Sequence, residues 1–255
     1  MNAKLRKFFY TFVFFMIPIL TGCGVRYQTP GAGADVAGLF KAADEEIKDI
    51  VARQPASPLP VNLIVVRLQD EGYYSYSMKN AVNLGRYSIV MTRDIEDQAD
   101  FERISKFPQL EQIGTLNRIL LPAEIQTDKD LRISAAKLHA DMLLLYTVDT
   151  KFWSEDSAKP LSVVTLGFSP TVNVHMISTI SGVLMDVRTG YVYGAMEATE
   201  KQTQLSSWWS NEDTIDQSRL RVEQIAFDKM LDEFEKLWIG VVAERKAILN
   251  MEQNP

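Results

Sequence analysis

The side chains that could do chemistry are few. His139 and His175 are the only histidines, 36 residues apart, and Cys23 is the sole cysteine. A metal site needs three or four converging ligands, and neither HxxH nor HExxH spacing occurs, so no metal and no cofactor are expected. A Ser–His–Asp triad would have to use one of those two histidines, and no GxSxG elbow is present. Gly31-Ala32-Gly33 is too short for a phosphate loop and follows no strand. Carboxylate pairs such as Asp44-Glu45-Glu46 and Glu96-Asp97 sit in polar, helix-prone stretches and read as solvated faces rather than acid–base pairs. Asp186 and Arg188 could form a site, but Asp186 to Gly190 has the composition of a hairpin turn. No catalytic residue is expected, and the chain reads as a non-enzyme. Two aromatic clusters fall between the regular segments: Tyr73, Tyr74 and Tyr76, and Trp208 with Trp209. Exposed Tyr and Trp anchor protein interfaces, so these five are candidate partner-binding residues; the competing reading folds them back over the sheet.

Charge and composition narrow the classes further. Of 255 residues, 46% are hydrophobic and 24% charged, with a net charge of −6, as expected of a globular chain with no affinity for nucleic-acid phosphates. The first 22 residues carry only basic charges, Lys4, Arg6 and Lys7, which leaves the rest more acidic still. From Phe8 to Leu20 no charge occurs. That run is shorter than the roughly 20 apolar residues of a spanning helix and suits the core of a signal peptide.

The run ends in Leu20-Thr21-Gly22-Cys23, which resembles the lipobox of bacterial lipoproteins. The resemblance implies cleavage between Gly22 and Cys23, a diacylglycerol thioether on the Cys23 sulfur, and an N-linked acyl chain such as palmitate. Two or three chains anchor firmly, where one is marginal. Gly24 stands where an aspartate would, in that family, direct retention at the inner membrane. The expected location is therefore the outer membrane, facing the periplasm. Residues 24–35 are rich in glycine and lack apolar periodicity. The expected organisation is a signal peptide over 1–22, a lipidated tether over 23–35 and a single domain over 36–255.

The elements that must position these residues follow from apolar spacing. Val36, Leu39, Phe40, Ala43, Ile47, Ile50 and Val51 predict an amphipathic helix, stopped by Pro55, Pro58 and Pro60. Val61 to Leu68 predicts a buried strand and Tyr87 to Thr92 a second. Asp94 to Phe107 predicts a helix, Asn117 to Leu121 a short strand or buried connector, and Thr127 to Ala140 a helix capped by Thr127. Asp141 to Val148 is the most apolar strand. Val172 to Val187 and Tyr191 to Glu200 predict a hairpin turning at Arg188-Thr189-Gly190. Thr214 to Leu249 predicts a long helix with one apolar stripe. The fold class is α/β (α+β): a mixed β-sheet with helices packed on it and a long C-terminal helix.

Longer phrases carry a second resemblance. ADMLLLYTVDT (140–150) followed by MDVRTGYVYG (185–194) resembles small envelope lipoproteins, including the curli-secretion lipoprotein family, activators of penicillin-binding proteins and the N-terminal domain of TolB. With LLPAEI (120–125) and LRISAAKLHADMLLLYTVDT (131–150), the chain is also similar to rhombotarget lipoproteins. These resemblances imply an α/β sandwich and carry no catalytic residue or substrate. The expected function is a lipid-anchored, non-enzymatic envelope protein that binds or scaffolds an envelope partner. An oligomeric secretion-channel subunit of the curli type is the alternative, and an enzyme acting on an envelope polymer comes third. Ser162 to Met176 alternates as a channel strand would, but Pro170 interrupts it.

Overall fold

The computed structural model describes residues 33–39, 44–73, 81–91, 93–156, 172–206 and 212–253. After a 3₁₀ turn at Val36–Leu39 come α1 (Asp44–Ala52), β1 (Val61–Asp70), β2 (Ala81–Leu84), β3 (Tyr87–Val90), α2 (Gln98–Ser105) and β4 (Leu110–Thr115). A second 3₁₀ turn, Arg118–Leu120, leads to α3 (Asp128–Ala136), β5 (Met142–Asp156), β6 (Val172–Asp186), β7 (Val192–Ser206) and α4 (Glu212–Gln253).

All seven strands form one mixed sheet in the order β2-β3-β1-β5-β6-β7, with β4 also on β1. One edge of β1 is shared: Val61–Val65 run parallel to β4, and Arg67–Asp70 run antiparallel to β3. Along its other edge, Leu63–Val66 pair in parallel with Met142–Leu145 of β5. Strands β5, β6 and β7 are an antiparallel meander, with β5 and β6 in register along all 15 residues.

Both faces of the central strands are buried, so β1 and the start of β5 read as continuous apolar runs. Val61, Leu63, Val65, Met142, Leu144 and Tyr146 meet α2 and α4, against Phe101, Ile104, Phe227, Met230, Phe234 and Trp238. The alternate residues Ile64, Val66, Leu68, Leu143 and Leu145 meet Leu131 and Ala135 of α3 on the opposite face. Helix α4 lies close on β7: a Cβ at Gly194 would stand 2.6 Å from Leu237 Cδ1.

The α/β class and the long C-terminal helix match the sequence reading, but several boundaries move. Strand β4 and the short strand β2 carry too few periodic residues to stand out. The Asn117–Leu121 segment is a 3₁₀ turn in place of a buried connector, and Ile119 is 86% exposed. Residues 36–39 form a 3₁₀ turn and the α-helix begins at Asp44. Gln204 and Leu205, whose neighbours have loop composition, still belong to β7. Ile225, placed by periodicity in the apolar stripe of α4, is 38% exposed.

The hairpin turn has a second role. Asp186 Oδ1 accepts from the backbone N–H groups of Arg188 and Thr189, closing the turn as its composition predicts. Oδ2 accepts from the N–H groups of Ala56 and Ser57, the Ser57 hydroxyl and the Tyr193 hydroxyl. Gly190 follows at φ 70°, with the Arg53 and Arg132 guanidinium groups against it. Burial pushes the Asp186 carboxyl pKa up, but the Thr189 N–H, the Ser57 donors, the Ala56 N–H and the Tyr193 hydroxyl outweigh it. The net shift is downward.

Asp186→Ala leaves this set of buried donors unpaired and is expected to cost about 3–5 kcal/mol in urea unfolding. Because the folded pKa lies below its ordinary value of 3.8, the carboxylate stabilises the fold above that pH. The contribution is lost as pH falls through the folded value. Asp186→Asn should flatten this acid limb, and an unchanged limb would show that the anchor does not titrate with unfolding.

Candidate functional site

The apolar rows on the α4 face change character at one end. Val61, Leu63 and Val65 are followed on the same face of β1 by Arg67. On β5 and β6 the row continues through Tyr146, Thr150 and Ser178, and α4 answers with Asp216, Arg219 and Glu223. Arg67, Asp216, Arg219 and Glu223 are all buried. Residues 219 and 223 share the helical phase of Ala226, Met230 and Phe234, so they point into the core rather than to solvent.

Arg67 donates to Asp94 at 2.5 Å and to the Tyr73 hydroxyl at 3.1 Å, and Glu96 lies 4.0 Å away. Its guanidinium stands 5.5 Å from the centre of the Tyr73 ring. Tyr146 donates its hydroxyl proton to Glu96. Deeper in, Thr150 donates to Glu223 at 2.6 Å and contacts the Ser178 hydroxyl, while Arg219 binds Asp216 at 2.9 Å and pairs with Glu223. The carboxylates outnumber the arginines, and burial pushes the pKa values of Glu96 and Glu223 up while nearby arginines pull them back. Burial also pushes Tyr73 up to about 12.

A cleft opens beside this layer, lined by Arg67, Arg93, Glu96 and Tyr146 with Val65, Ile89, Phe101 and Leu116 among its apolar walls. Its volume is about 30 Å³. That is room for about two waters, well below the several hundred Å³ of a small-molecule pocket. Among the described residues, Arg67 Nε, Asp94 Oδ2 and Glu96 Oε2 are buried without a hydrogen-bond partner. A water in the cleft would satisfy such atoms. Among the described residues the lining offers the hydroxyls of Tyr146 and Thr115 and the carboxyl of Glu96, whose pKa burial pushes up.

Tyr73 is half-buried against Arg67, while Tyr74, Tyr76, Trp208, Trp209, Gly22 and Cys23 lie outside the described residues. His139 ends the turn after α3 at φ 56°, and His175 stacks on Trp153 with ring centres 5.2 Å apart. Among the described residues no group of His, Cys, Asp and Glu could hold a metal. The buried ionic layer was missed. Its signals were one arginine inside VNLIVVRL and an Arg–Glu pair four apart in the apolar phase of the last helix. No family model matches the chain, and no curated protein matches it.

The raised carboxyls set a dependence on pH above their ordinary value. A folded pKa above the ordinary 4.5 means that the folded state holds more protons between the two values. Stability therefore falls as pH rises through that window. Glu96→Gln and Glu223→Gln should each flatten this fall in urea midpoints measured from pH 4.5 upward. Parallel curves for wild type and both variants would show that these carboxyls do not titrate differently in the two states.

Proposed function

We propose that the chain is a lipid-anchored protein of the bacterial envelope, held at the outer membrane with its folded body in the periplasm. The body works without catalysis, as a binding or scaffolding module for an envelope protein. The observation that carries the reading is Leu20-Thr21-Gly22-Cys23: the only cysteine stands where lipidation requires it, behind a basic start and an uncharged run.

The way the chain joins the fold suits a tether. Gly33 forms an antiparallel bridge with Gln69, and the Ala34 N–H donates to Thr147 Oγ1 at 3.0 Å. Ala34 then packs in the second apolar cluster, on the face opposite α4. Ten residue-to-residue steps lead from Cys23 to Gly33 and reach at most about 33–36 Å when extended. A lipid on Cys23 thus keeps the body within one domain diameter of the bilayer.

In cells grown with an alkyne fatty acid, the wild-type chain should incorporate label and fractionate with membranes. Cys23→Ser should lose the label and move to the soluble or uncleaved fraction. A processed, membrane-bound Cys23→Ser protein would overturn the lipoprotein assignment.

A further inference from the structure

We propose that the outer edge of β7 pairs with the same edge of a second copy of this chain, antiparallel and centred on Thr199. The inference goes beyond the lipid-anchor reading and does not depend on it.

Strand β7 has 15 residues and no proline, and among the described residues only β6 pairs with it. The turn fixes which of its backbone groups are free. The Val187 N–H bonds the Asp141 carbonyl on the β5 side, and the Asp186 N–H bonds the Tyr191 carbonyl on the β7 side. Alternation along β6 therefore aims its even residues at β7. Gly182, Ile180 and Ser178 face Met196, Ala198 and Glu200. The N–H and C=O groups of Ala195, Glu197, Thr199, Lys201 and Thr203 consequently point away from the sheet.

Such an edge is a template for another strand unless something blocks it. The usual block is a lysine, and Lys201 stands there. Four residues earlier on the same face stands Glu197. In a symmetric antiparallel pair, a centre at Thr199 sets Glu197 opposite Lys201 of the second copy, twice, and brings outward-facing backbone groups against each other. A centre at Glu197, Glu200 or Lys201 instead sets like charges opposite, and a centre at Ala198 leaves Glu197 and Lys201 unmatched. Charge complementarity thus selects both the occupant and the register. The two-fold axis stands normal to the sheet, so both α4 helices share one face and both N-terminal segments join on the other. Two tethers would then reach the same membrane.

The test uses the full chain in detergent, with its mass measured by sedimentation across a concentration series. Wild type should be a dimer. Thr199→Pro removes an outward N–H and no bond of the β6–β7 ladder, so it should weaken dimerisation at least about tenfold while the melt persists. Glu197→Lys and Lys201→Glu should each weaken the dimer, and the double swap should restore it. The charge series decides the matter even where Thr199→Pro fails to fold. A monomeric wild type, a larger ring, a chain found only with a different protein on this edge, or single swaps that leave the dimer intact would overturn the proposal.

Discussion

The carboxylate of Asp186 is fully buried, and among the described residues no cation forms a salt bridge with it. Arg188, the nearest candidate in sequence, gives its guanidinium to Asp141 instead. A bare carboxylate in such a place would cost several kcal/mol, so the surrounding chain has to supply donors, and it does so from three directions. The hairpin turn supplies backbone N–H groups, the segment after α1 supplies Ala56 and Ser57, and β7 supplies Tyr193. Ser57 then carries the connection onward. Its hydroxyl reaches the Asp141 carbonyl at the start of β5, and its own carbonyl accepts from Arg245 near the end of α4. Asp141 in turn accepts from the Asn62 N–H at the start of β1. One buried charge therefore fixes the common end of β1, β5, β6 and β7 and the far end of the last helix.

The opposite end of the same face is held by a different device. There the apolar rows give way to Arg67, Asp94, Glu96, Arg219 and Glu223, an ionic layer under the first turns of α4. Replacing a buried ion set by apolar residues of matching volume often costs nothing, so such a layer is poor evidence of added stability. Its effect is on placement. A 42-residue helix with an apolar stripe could slide along the sheet, but Thr150–Glu223 at one end and Arg245–Ser57 at the other admit a single seating. Leu237 against Gly194 fills the space between them.

Much of this architecture was legible because its largest parts obey simple periodicities. Continuous apolar runs marked β1 and β5, turn chemistry marked the β6–β7 hairpin, and a 3.6-residue stripe marked α4. What escaped was set by long-range contact. Strand β4, LEQIGT, has no alternation and exists because the first half of β1 offers it an edge. Strands β5 and β7 run further than their apolar cores because Asp149–Asp156 and Lys201–Ser206 pair along the backbone of β6. Asp186 was readable as a turn residue, but its second oxygen binds residues some 130 positions away, which no local pattern records. The stretch Leu20-Thr21-Gly22-Cys23, on which the proposed lipidation rests, shows the converse. It is read from residue types alone and lies outside the described residues.

The two faces of the sheet are covered unequally, and the lengths explain it. Strand β6, at 15 residues, extends about 50 Å, and α4, at 42 residues, about 63 Å, so the helix can line the meander from end to end. Helix α3, at 9 residues, covers about 14 Å and reaches the β1–β5 region and the β6–β7 turn. Beyond it the far face of the meander meets solvent and must satisfy its own polar groups. Thr179 bonds Thr199, Ser181 bonds Glu197 and His175 bonds Thr203, each across the β6–β7 ladder. These cross-strand bonds hold the odd-numbered side chains of β7 upright on the open face, while their backbone groups point sideways along the free edge. Among the described residues that edge has no strand partner, so its backbone groups still have hydrogen bonds to give. The fold thus spends its longest described helix on one face and leaves the open face of the meander to its own cross-strand bonds.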